Sequence, residues 1–187
     1  MSGPRADALR VLAGWRPEDP QQDSLRHAFL TLLEAREDAC LRSCEPGHLT
    51  ASAVLVDAEG ARTMLTLHPR VGMWLQLGGH CEESDSSLAG AALREAAEES
   101  GVAGLVVDPE PVHLAVHPIT CSLGVPTRHL DVRFLVRAPR GAEPERSEES
   151  LDLRWWPLDA APEGSDLEPL LAAARARLRA EPASTWD

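Results

Sequence analysis

The sequence predicts an α+β fold, in which a mixed sheet lies between helices as an α/β/α sandwich and an N-terminal helical extension precedes it. Three observations lead to this prediction. Helix-like and strand-like runs are mixed along the chain without the regular alternation of a doubly wound parallel sheet. A length of 187 residues suits one domain with modest extensions. Helical spacing dominates the first 45 residues, and strand-like runs begin at His48.

The N-terminal region has the periodicity of two helices, at residues 5–14 and at about residues 22–40. In the second of them Leu25, Phe29, Leu32 and Leu33 form one apolar stripe. We therefore predict a helical extension at residues 1–45 and the main domain at residues 46–187. The extension can cap a cleft, form the surface of a homodimer or complete the core, and the sequence leaves these three alternatives open.

The main domain begins with a hairpin signal and continues into a strand–loop–helix unit. Residues 48–57 and 61–68 are strand-like and flank the turn pair Glu59-Gly60. A short strand at residues 73–77 leads into Gly78-Gly79, and residues 86–101 are helical. Asp85 or Ser86 is the predicted N-cap of this helix, and Gly101 its C-terminal stop. Further strands are predicted at residues 105–119, 128–138 and 151–158, and a closing helix at residues 166–180.

The charge and composition exclude several classes of function. A net charge of −12 argues against binding nucleic acid, because that affinity comes from Lys and Arg beside phosphates. The chain contains neither lysine nor tyrosine, which removes Schiff-base chemistry, a Walker-type lysine and a tyrosine nucleophile. If an acidic chain acts on an anionic substrate, it needs a compensating cation, and a divalent metal can supply it.

The cysteines and the hydropathy of the chain concern its compartment. The four cysteines have no C-x-x-C spacing, so the sequence does not support a disulfide framework or a zinc knuckle. No apolar run approaches the roughly 18 residues that span a bilayer, and the N-terminus lacks the apolar centre of a signal peptide. We therefore expect a soluble, cytoplasmic protein that does not bind a membrane.

Residues 77–102, LGGHCEESDSSLAGAALREAAEESGV, concentrate carboxylates on one loop and one helix. At helical spacing Glu95, Glu98 and Glu99 stand at i, i+3 and i+4, which places them on one face. Repulsion between exposed helical carboxylates costs only about 0.2–0.5 kcal/mol per pair. A solvated acidic face is therefore the simple alternative to a metal site, and the wider motif has to decide between them.

That wider motif resembles the signature of the Nudix hydrolase family, GX5EX7REUXEEXGU, where U is aliphatic. Gly79 matches its first glycine, and residues 94–102, REAAEESGV, match its second half. The sequence departs from the pattern at two points: Asp85 replaces the first glutamate, and one extra residue precedes Arg94. The resemblance implies a Nudix-like α/β/α sandwich at residues 46–187, with its box at residues 79–102.

The resemblance also implies an activity and a metal. Family members cleave a nucleoside diphosphate linked to another group, using Mg²⁺ or Mn²⁺, by attack of water on phosphorus. Carried over, Glu95, Glu98 and Glu99 are metal ligands together with the carbonyl of Gly79, which suits the oxygen preference of these cations. Arg94 is counted in the catalytic set as the residue that holds the glutamates in place, with Asp85 as its shortened partner.

The general base and the substrate contacts are not fixed by the box. The base is a box glutamate, Glu98 or Glu95, or a residue of a late loop, where Glu148 and Glu149 are the candidates. As substrate-binding candidates, we expect two cationic or aromatic residues near the glycine loop and three residues on one face of the strand at residues 128–138: Arg70, Trp74, His129, Asp131 and Arg133. Ordinary exposure or packing is the alternative at each of these positions.

Three functions remain in view, and the first is an active metal-dependent pyrophosphohydrolase. The second is a non-catalytic Nudix-fold sensor of a nucleotide metabolite, which loss of a box glutamate would favour; all three are present. The third is an isoprenoid diphosphate isomerase, which uses a cysteine and a glutamate, and Cys81 is the candidate. The substrate stays open, although the tyrosine that marks dinucleoside polyphosphate hydrolases in the family is absent.

Overall fold

The computed structural model describes residues 3–69, 71–120, 124–145 and 150–180. Two helices precede the sheet, a third lies between its strands and a fourth closes the chain. The helices are α1 (Pro4–Gly14), α2 (Pro20–Ala35), α3 (Leu88–Ser100) and α4 (Glu168–Ala180). The strands are β1 (His48–Val56), β2 (Arg62–Leu67), β3 (Trp74–Leu75), β4 (Leu77–His80), β5 (Val106–Thr120), β6 (Pro126–Arg137) and β7 (Asp152–Pro157).

The described strands form one mixed sheet with the order β3-β2-β1-β6-β5. Strand β4 also pairs with β1, and β7 with β2. The pairing of β1 with β6 is parallel and runs from His48↔His129 to Val56↔Arg137, whereas the other pairings are antiparallel. Strand β1 is therefore the central strand, and all nine of its residues are buried.

The two faces of the sheet carry different helices. Alternate residues of β1 and β6, such as Ala51 and Val132, share an apolar cluster with α1, α2 and α3. The intervening residues Val54 and Leu135 pack against α4. Helices on both faces of a mixed sheet confirm the predicted α/β/α sandwich. On the sheet face that carries α4, the apolar residues lie toward the ends of β1 and β6. The residues nearer the starts of these strands are buried and polar: Thr50, Ser52, Asp131 and Arg133.

The N-terminal helices complete the core. Leu12, Phe29 and Leu33 are fully buried and share one cluster with the sheet and with Leu88 of α3. Gln22 of α2 also pairs with the outer strand β5: its side chain accepts the backbone N–H of Leu114 at 2.6 Å and donates to the carbonyl of the same residue at 3.1 Å. Of the three alternatives for the extension, the structure supports this one. The domain boundary after residue 45 and the homodimer stay predictions.

The predicted elements are present, with three differences. Helix α2 ends at Ala35 instead of near residue 40, and a turn follows it. Residues 73–77 do not form one strand, because β3 pairs with β2 through Leu75, whereas β4 begins at Leu77 and pairs with β1. The helix is capped by Ser87 instead of Asp85 or Ser86, since Asp85 is engaged elsewhere. Among the described residues, no helix is long and apolar enough to cross a membrane.

Candidate active site

Helix α3 is fixed at both ends, which sets the direction of its glutamates. The hydroxyl of Ser87 accepts the backbone N–H of Gly90 at 3.0 Å. Asp7 of α1 accepts the N–H of Leu88 at 2.9 Å, so the N-terminal extension satisfies a second donor of this helix. At the other end Gly101 has φ +67°, and its N–H donates to the carbonyl of Ala97. The negative charge of Asp7 beside the N-terminus of α3 also complements the dipole of this helix.

The buried face of α3 lies close to the predicted one but is rotated toward the sheet. Helical spacing predicts that Ala89, Leu93, Ala96 and Ala97 form the apolar face opposite the glutamates, and of these only Ala96 is fully buried. In the structure the fully buried positions are Leu88, Ala91, Ala92, Ala96 and Ser100. The glutamates are thereby turned toward the edge strand β4 and away from the apolar core.

Strand β4 forms the wall that faces the glutamates. A Cβ added to Gly79 would lie 2.7 Å from both carboxylate oxygens of Glu95, so this carboxylate rests directly on the glycine. The backbone N–H of the preceding residue, Gly78, donates to Oε2 of Glu99 at 3.1 Å. The absence of a side chain at Gly79 lets Glu95 reach the strand backbone, whereas Gly78 packs against Ala51 and Ser52 of β1.

Arg94 connects the carboxylates of the box. Its Nη1 donates to Glu95 at 3.0 Å and to Glu98 at 3.1 Å. Its Nη2 donates to the backbone carbonyl of His80 at 3.0 Å, which ties the end of β4 to the helix. Charge-assisted bonds of this kind hold side chains in fixed positions. The glutamates predicted from helical spacing are therefore brought together, with Glu95 and Glu98 sharing one guanidinium nitrogen.

The predicted pairing of Arg94 with Asp85 is confirmed. Two guanidinium nitrogens, Nε and Nη2, donate to the two oxygens of Asp85 at 3.2 and 3.1 Å. Asp85 also accepts the backbone N–H of Glu82 at 2.8 Å, and only 7% of its side chain is exposed. Asp85 thus anchors the arginine from inside the loop.

On the sheet face that carries α4, Asp131 and Arg133 of β6 form a buried ion pair of 2.8 Å. Asp131 is 2% exposed and Arg133 is 3% exposed. Asp131 also accepts from Thr50 at 2.9 Å, Ser52 at 2.7 Å and Gln76 at 3.1 Å. Burial alone would raise the pKa of Asp131, but the positive charge of Arg133 and these donors outweigh it, so the pKa lies below its ordinary value.

Histidines surround this ion pair at the end of the sheet. His117 of β5 lies 2.9 Å from Nη2 of Arg133, and His113 lies 3.3 Å from Gln22, so both have contacts within the fold. His129 lies in ring contact with two histidines that the sequence did not single out, His48 and His80. Burial lowers the pKa of His80 to about 3 and that of His129 to about 4, so both are neutral at physiological pH.

Among the described residues, Trp74 and Cys81 are not brought into this arrangement. Trp74 packs edge-on against Trp156, with ring centroids 5.3 Å apart, and the guanidinium of Arg154 lies over its ring. Cys81 is buried in the core cluster, and burial raises the pKa of its thiol. Arg70, Glu148 and Glu149 lie outside the described residues.

Sequence reasoning missed several described residues at the site. Gln76, Thr50 and Ser52 bind Asp131, and Asp7 caps the box helix. The histidines His48 and His80 were also missed. A signal was available in the first half of β1, where the alternate residues His48, Thr50 and Ser52 are polar.

The two glycines of β4 provide a matched test of the geometry. Gly79→Ala is expected to displace the Glu95 carboxylate and to weaken Mn²⁺ binding by about 10-fold or more, with little change in melting temperature, because a side-chain end can move. Gly78→Ala is expected to destabilise the fold instead. Its φ is +145°, and an added Cβ would lie 2.5 Å from the Cα of Ser52.

Mn²⁺ titration by electron paramagnetic resonance and thermal unfolding measure the two effects separately. Gly14→Ala is the control, since a Cβ added there meets nothing within 4 Å. Unchanged Mn²⁺ affinity in Gly79→Ala would show that the position of Glu95 against β4 does not matter for the metal.

The comparisons with known proteins give one family and one fold. A model of the NUDIX domain matches residues 46–179. A comparison with curated proteins finds no match. Many solved structures are similar to this chain, and three of those with TM-scores above 0.5 are described here.

The first is a C. elegans Ap4A hydrolase in a binary complex, 19% identical, covering 71% of this chain and 98% of that one, with a TM-score of 0.54. The second is the E. coli dihydroneopterin triphosphate pyrophosphohydrolase, 18% identical, covering 71% and 96%, with a TM-score of 0.54. The third is a NUDIX-family hydrolase from Clostridium perfringens, 21% identical, covering 72% and 98%, with a TM-score of 0.52. At these identities the similarity shows the fold.

Proposed function

Since the chain belongs to the Nudix hydrolase family and is therefore a pyrophosphohydrolase that acts on acid anhydrides, we propose the following reaction. The protein cleaves the diphosphate linkage of a nucleoside diphosphate derivative or a similar compound, with Mg²⁺ or Mn²⁺, by attack of water on phosphorus. The observation that carries the proposal is that Glu95 and Glu99 contact the glycines of β4, while Arg94 holds Glu98 beside Glu95.

The residues present fit a hard divalent cation. Such cations take oxygen ligands, and Mg²⁺ in particular combines one or two protein carboxylates with water and substrate phosphates. Here the glutamates supply carboxylate oxygens, and Gly79 adds a backbone carbonyl on the wall against which Glu95 rests. We propose these four residues as the holders of the metal. When bound, the cation neutralises the phosphates of the substrate and the charge that develops during hydrolysis.

Among the described glutamates of the box, Glu98 is our candidate for the general base. Its side chain is 60% exposed, so a water molecule can reach it, whereas that of Glu95 is 15% exposed and rests on the strand. The base takes one proton from the attacking water, whose oxygen forms the new bond to phosphorus as the bridging P–O bond breaks. Glu148 and Glu149 remain alternative bases from the late loop.

For the substrate contacts, the burial of Asp131 and Arg133 favours an indirect part. Arg133 is already neutralised by Asp131, and this ion pair is nearly inaccessible. We propose that the pair fixes Gln76 and His117, which are partly exposed, as hydrogen-bonding groups for the substrate. Trp74 is better explained by packing against Trp156, and Arg70 stays a proposal from sequence.

Two named structures guide the choice of substrates. They are an Ap4A hydrolase and a dihydroneopterin triphosphate pyrophosphohydrolase. The absence of tyrosine in this chain argues against Ap4A as its own substrate. The first compounds to test are therefore nucleoside triphosphates, ADP linked to a sugar or a nucleoside, and a pterin triphosphate. The burial of Cys81 also argues against the isomerase alternative, because a catalytic cysteine needs an accessible thiol.

The experiment is a substrate panel with Mg²⁺ or Mn²⁺ in water labelled with oxygen-18, with products identified by mass. We expect at least one member to be cleaved at an anhydride, with label in one phosphate product and no reaction in EDTA. Tight binding of one compound without turnover of any would overturn the proposal in favour of the sensor. Turnover that persists in EDTA would overturn the metal requirement.

A further inference from the structure

Three histidines from three neighbouring strands meet at one end of the sheet. They offer nitrogen ligands, whereas the box glutamates offer oxygen. His48 begins β1 and pairs in register with His129 of β6, and His80 ends β4, which pairs with β1 on its other side. The ring centroids are 4.8, 5.0 and 5.1 Å apart. One ligand nitrogen from each ring lies within 4.8 Å of the other two.

The tautomer of His48 is set by the backbone. Its Nδ1 lies 3.2 Å from the carbonyl oxygen of Cys44, and a carbonyl only accepts, so Nδ1 carries the proton. In the neutral ring Nε2 then holds a lone pair. His48 is 1% exposed, and its Nε2 is buried without a hydrogen-bond partner among the described residues. A histidine that donates one N–H to a carbonyl and keeps the other nitrogen unprotonated has the arrangement typical of a metal ligand.

His129 repeats part of this arrangement. Its Nε2 is also buried and without a hydrogen-bond partner among the described residues. Burial lowers the pKa of His48 and brings that of His129 to about 4, so at neutral pH both rings are uncharged. Buried polar atoms without partners are rare in folded proteins and call for an explanation, such as an ion.

We propose that His48, His80 and His129 bind one transition-metal ion of the zinc class. Imidazole nitrogens suit zinc, copper, nickel and cobalt, whereas Mg²⁺ and Mn²⁺ prefer oxygen. Three histidines with a fourth position left to water is a known zinc ligand set. With Zn–N bonds of about 2.0–2.1 Å, tetrahedral ligands lie about 3.3–3.4 Å apart. The ligand nitrogens, which lie within 4.8 Å of one another, therefore close by up to about 1.5 Å when the metal binds, within the reach of side-chain rotation.

Arg42 occupies the approach to this site. Its guanidinium donates to Nδ1 of His80 at 3.1 Å, and Arg42 is exposed, so it can turn outward when the metal binds. Its positive charge opposes any cation at the three histidines. Arg42→Gln is therefore expected to tighten zinc binding, and this gain in affinity distinguishes a real site from an accidental cluster.

The site takes His129 as a metal ligand and not as a substrate contact. It is also chemically separate from the carboxylates on α3, although His80 follows Gly79 directly. The two sites select different ions, so each can be tested while the other is controlled. Zinc binding would tie β4, β1 and β6 together at their shared end.

The test is a titration of the full chain, without a polyhistidine tag, with Co²⁺ and Zn²⁺ in excess Mg²⁺. The excess Mg²⁺ competes for the carboxylates of the box. We expect one equivalent of Co²⁺ to give the intense visible absorption of a tetrahedral complex with nitrogen ligands, and Zn²⁺ to displace it. No thiolate charge-transfer band is expected, although Cys81 directly follows His80 and Cys44 lies shortly before His48 in the chain.

Variants identify the ligands. His80→Asn and His129→Asn are each expected to lower zinc affinity by more than about 10-fold, the lower bound for losing even a group that only orients a ligand. Both residues are less buried than His48, so their variants are the more tolerable for folding. His27→Asn on α2, where the side chain is 67% exposed, is the control and is expected to bind as wild type.

Four outcomes would overturn the proposal. They are the absence of a saturable cobalt spectrum, a thiolate band, equal zinc affinity in folded His80→Asn or His129→Asn, and loss of the spectrum in Glu99→Gln. The melting temperature of each variant without metal shows whether it is folded. Retention of the cobalt spectrum in Glu99→Gln supports a site independent of the box carboxylates.

Discussion

Glu98→Gln and Glu99→Gln are each expected to lower metal-dependent turnover by at least about 100-fold, the size that a single electrostatic group reaches in an active site. Gln keeps the shape of the side chain but removes one negative charge and one ligand oxygen. In Glu99→Gln the amide oxygen can still accept the N–H of Gly78, so the contact with β4 is preserved. The loss is therefore expected in metal binding and chemistry, with the fold intact.

The measurement combines turnover of a panel substrate with Mn²⁺ affinity by electron paramagnetic resonance. Glu83→Gln is the matched control, because Glu83 is exposed in the same acidic loop and is expected to retain both properties. Glu98 is also our candidate base, so its variant is expected to lose more turnover than Mn²⁺ affinity. A Glu99→Gln variant as active as wild type would remove this residue from the metal ligands.

The part of the site that the sequence predicts correctly depends on local geometry. Glu95, Glu98 and Glu99 are neighbours because helical rise and twist fix residues at i, i+3 and i+4. The stop at Gly101 follows from the same local pattern, whereas the buried face is rotated from the predicted one and shares only Ala96 with it. Such relationships need no knowledge of the rest of the fold. The resemblance to the family then added the glycine of β4 against which Glu95 rests.

The part that was missed depends on strand pairing across the chain. Thr50 and Ser52 bind Asp131 because β1 and β6 run parallel, and these partners are 81 and 79 residues apart in sequence. The same register brings His48 beside His129. No periodicity within either strand contains this information. The split of residues 73–77 has a similar cause, since the chain changes partner from β2 to β1 between Leu75 and Leu77.

The departures from the family pattern near Asp85 are accommodated by the loop. An aspartate is one methylene shorter than glutamate, and the box contains one extra residue before Arg94. In the structure this shorter side chain still binds Arg94 through both oxygens and also accepts the N–H of Glu82. Because Asp85 closes the loop in this way, Ser87 becomes the N-cap.

Arg94→Met is expected to be the most destabilising single change in the box, at about 3 kcal/mol. Breaking a buried pair by removing one partner costs about 3–5 kcal/mol. The lower end applies here, because 21% of the arginine side chain is exposed, whereas that of Asp85 is 7% exposed. Urea unfolding in EDTA measures the effect. Arg140→Met removes an exposed ion pair with Glu59 and is the control, with an expected change below about 1 kcal/mol.

A double-mutant cycle separates the buried pair from the rest of the cluster. In Arg94→Met the carboxylate of Asp85 keeps, among the described residues, the N–H of Glu82 as its one donor. Asp85→Asn in that background is therefore expected to restore part of the stability, because a neutral amide costs less to bury. The expected coupling is about 1–3 kcal/mol. A coupling near zero would mean that Arg94 acts mainly through Glu95 and Glu98.

Since losing Arg94 removes a positive charge beside those glutamates, the Arg94→Met variant, if it remains folded, should still attract Mn²⁺. Retained Mn²⁺ binding with lost turnover would then assign Arg94 to the orientation of the glutamates, and equal turnover would remove it from the site.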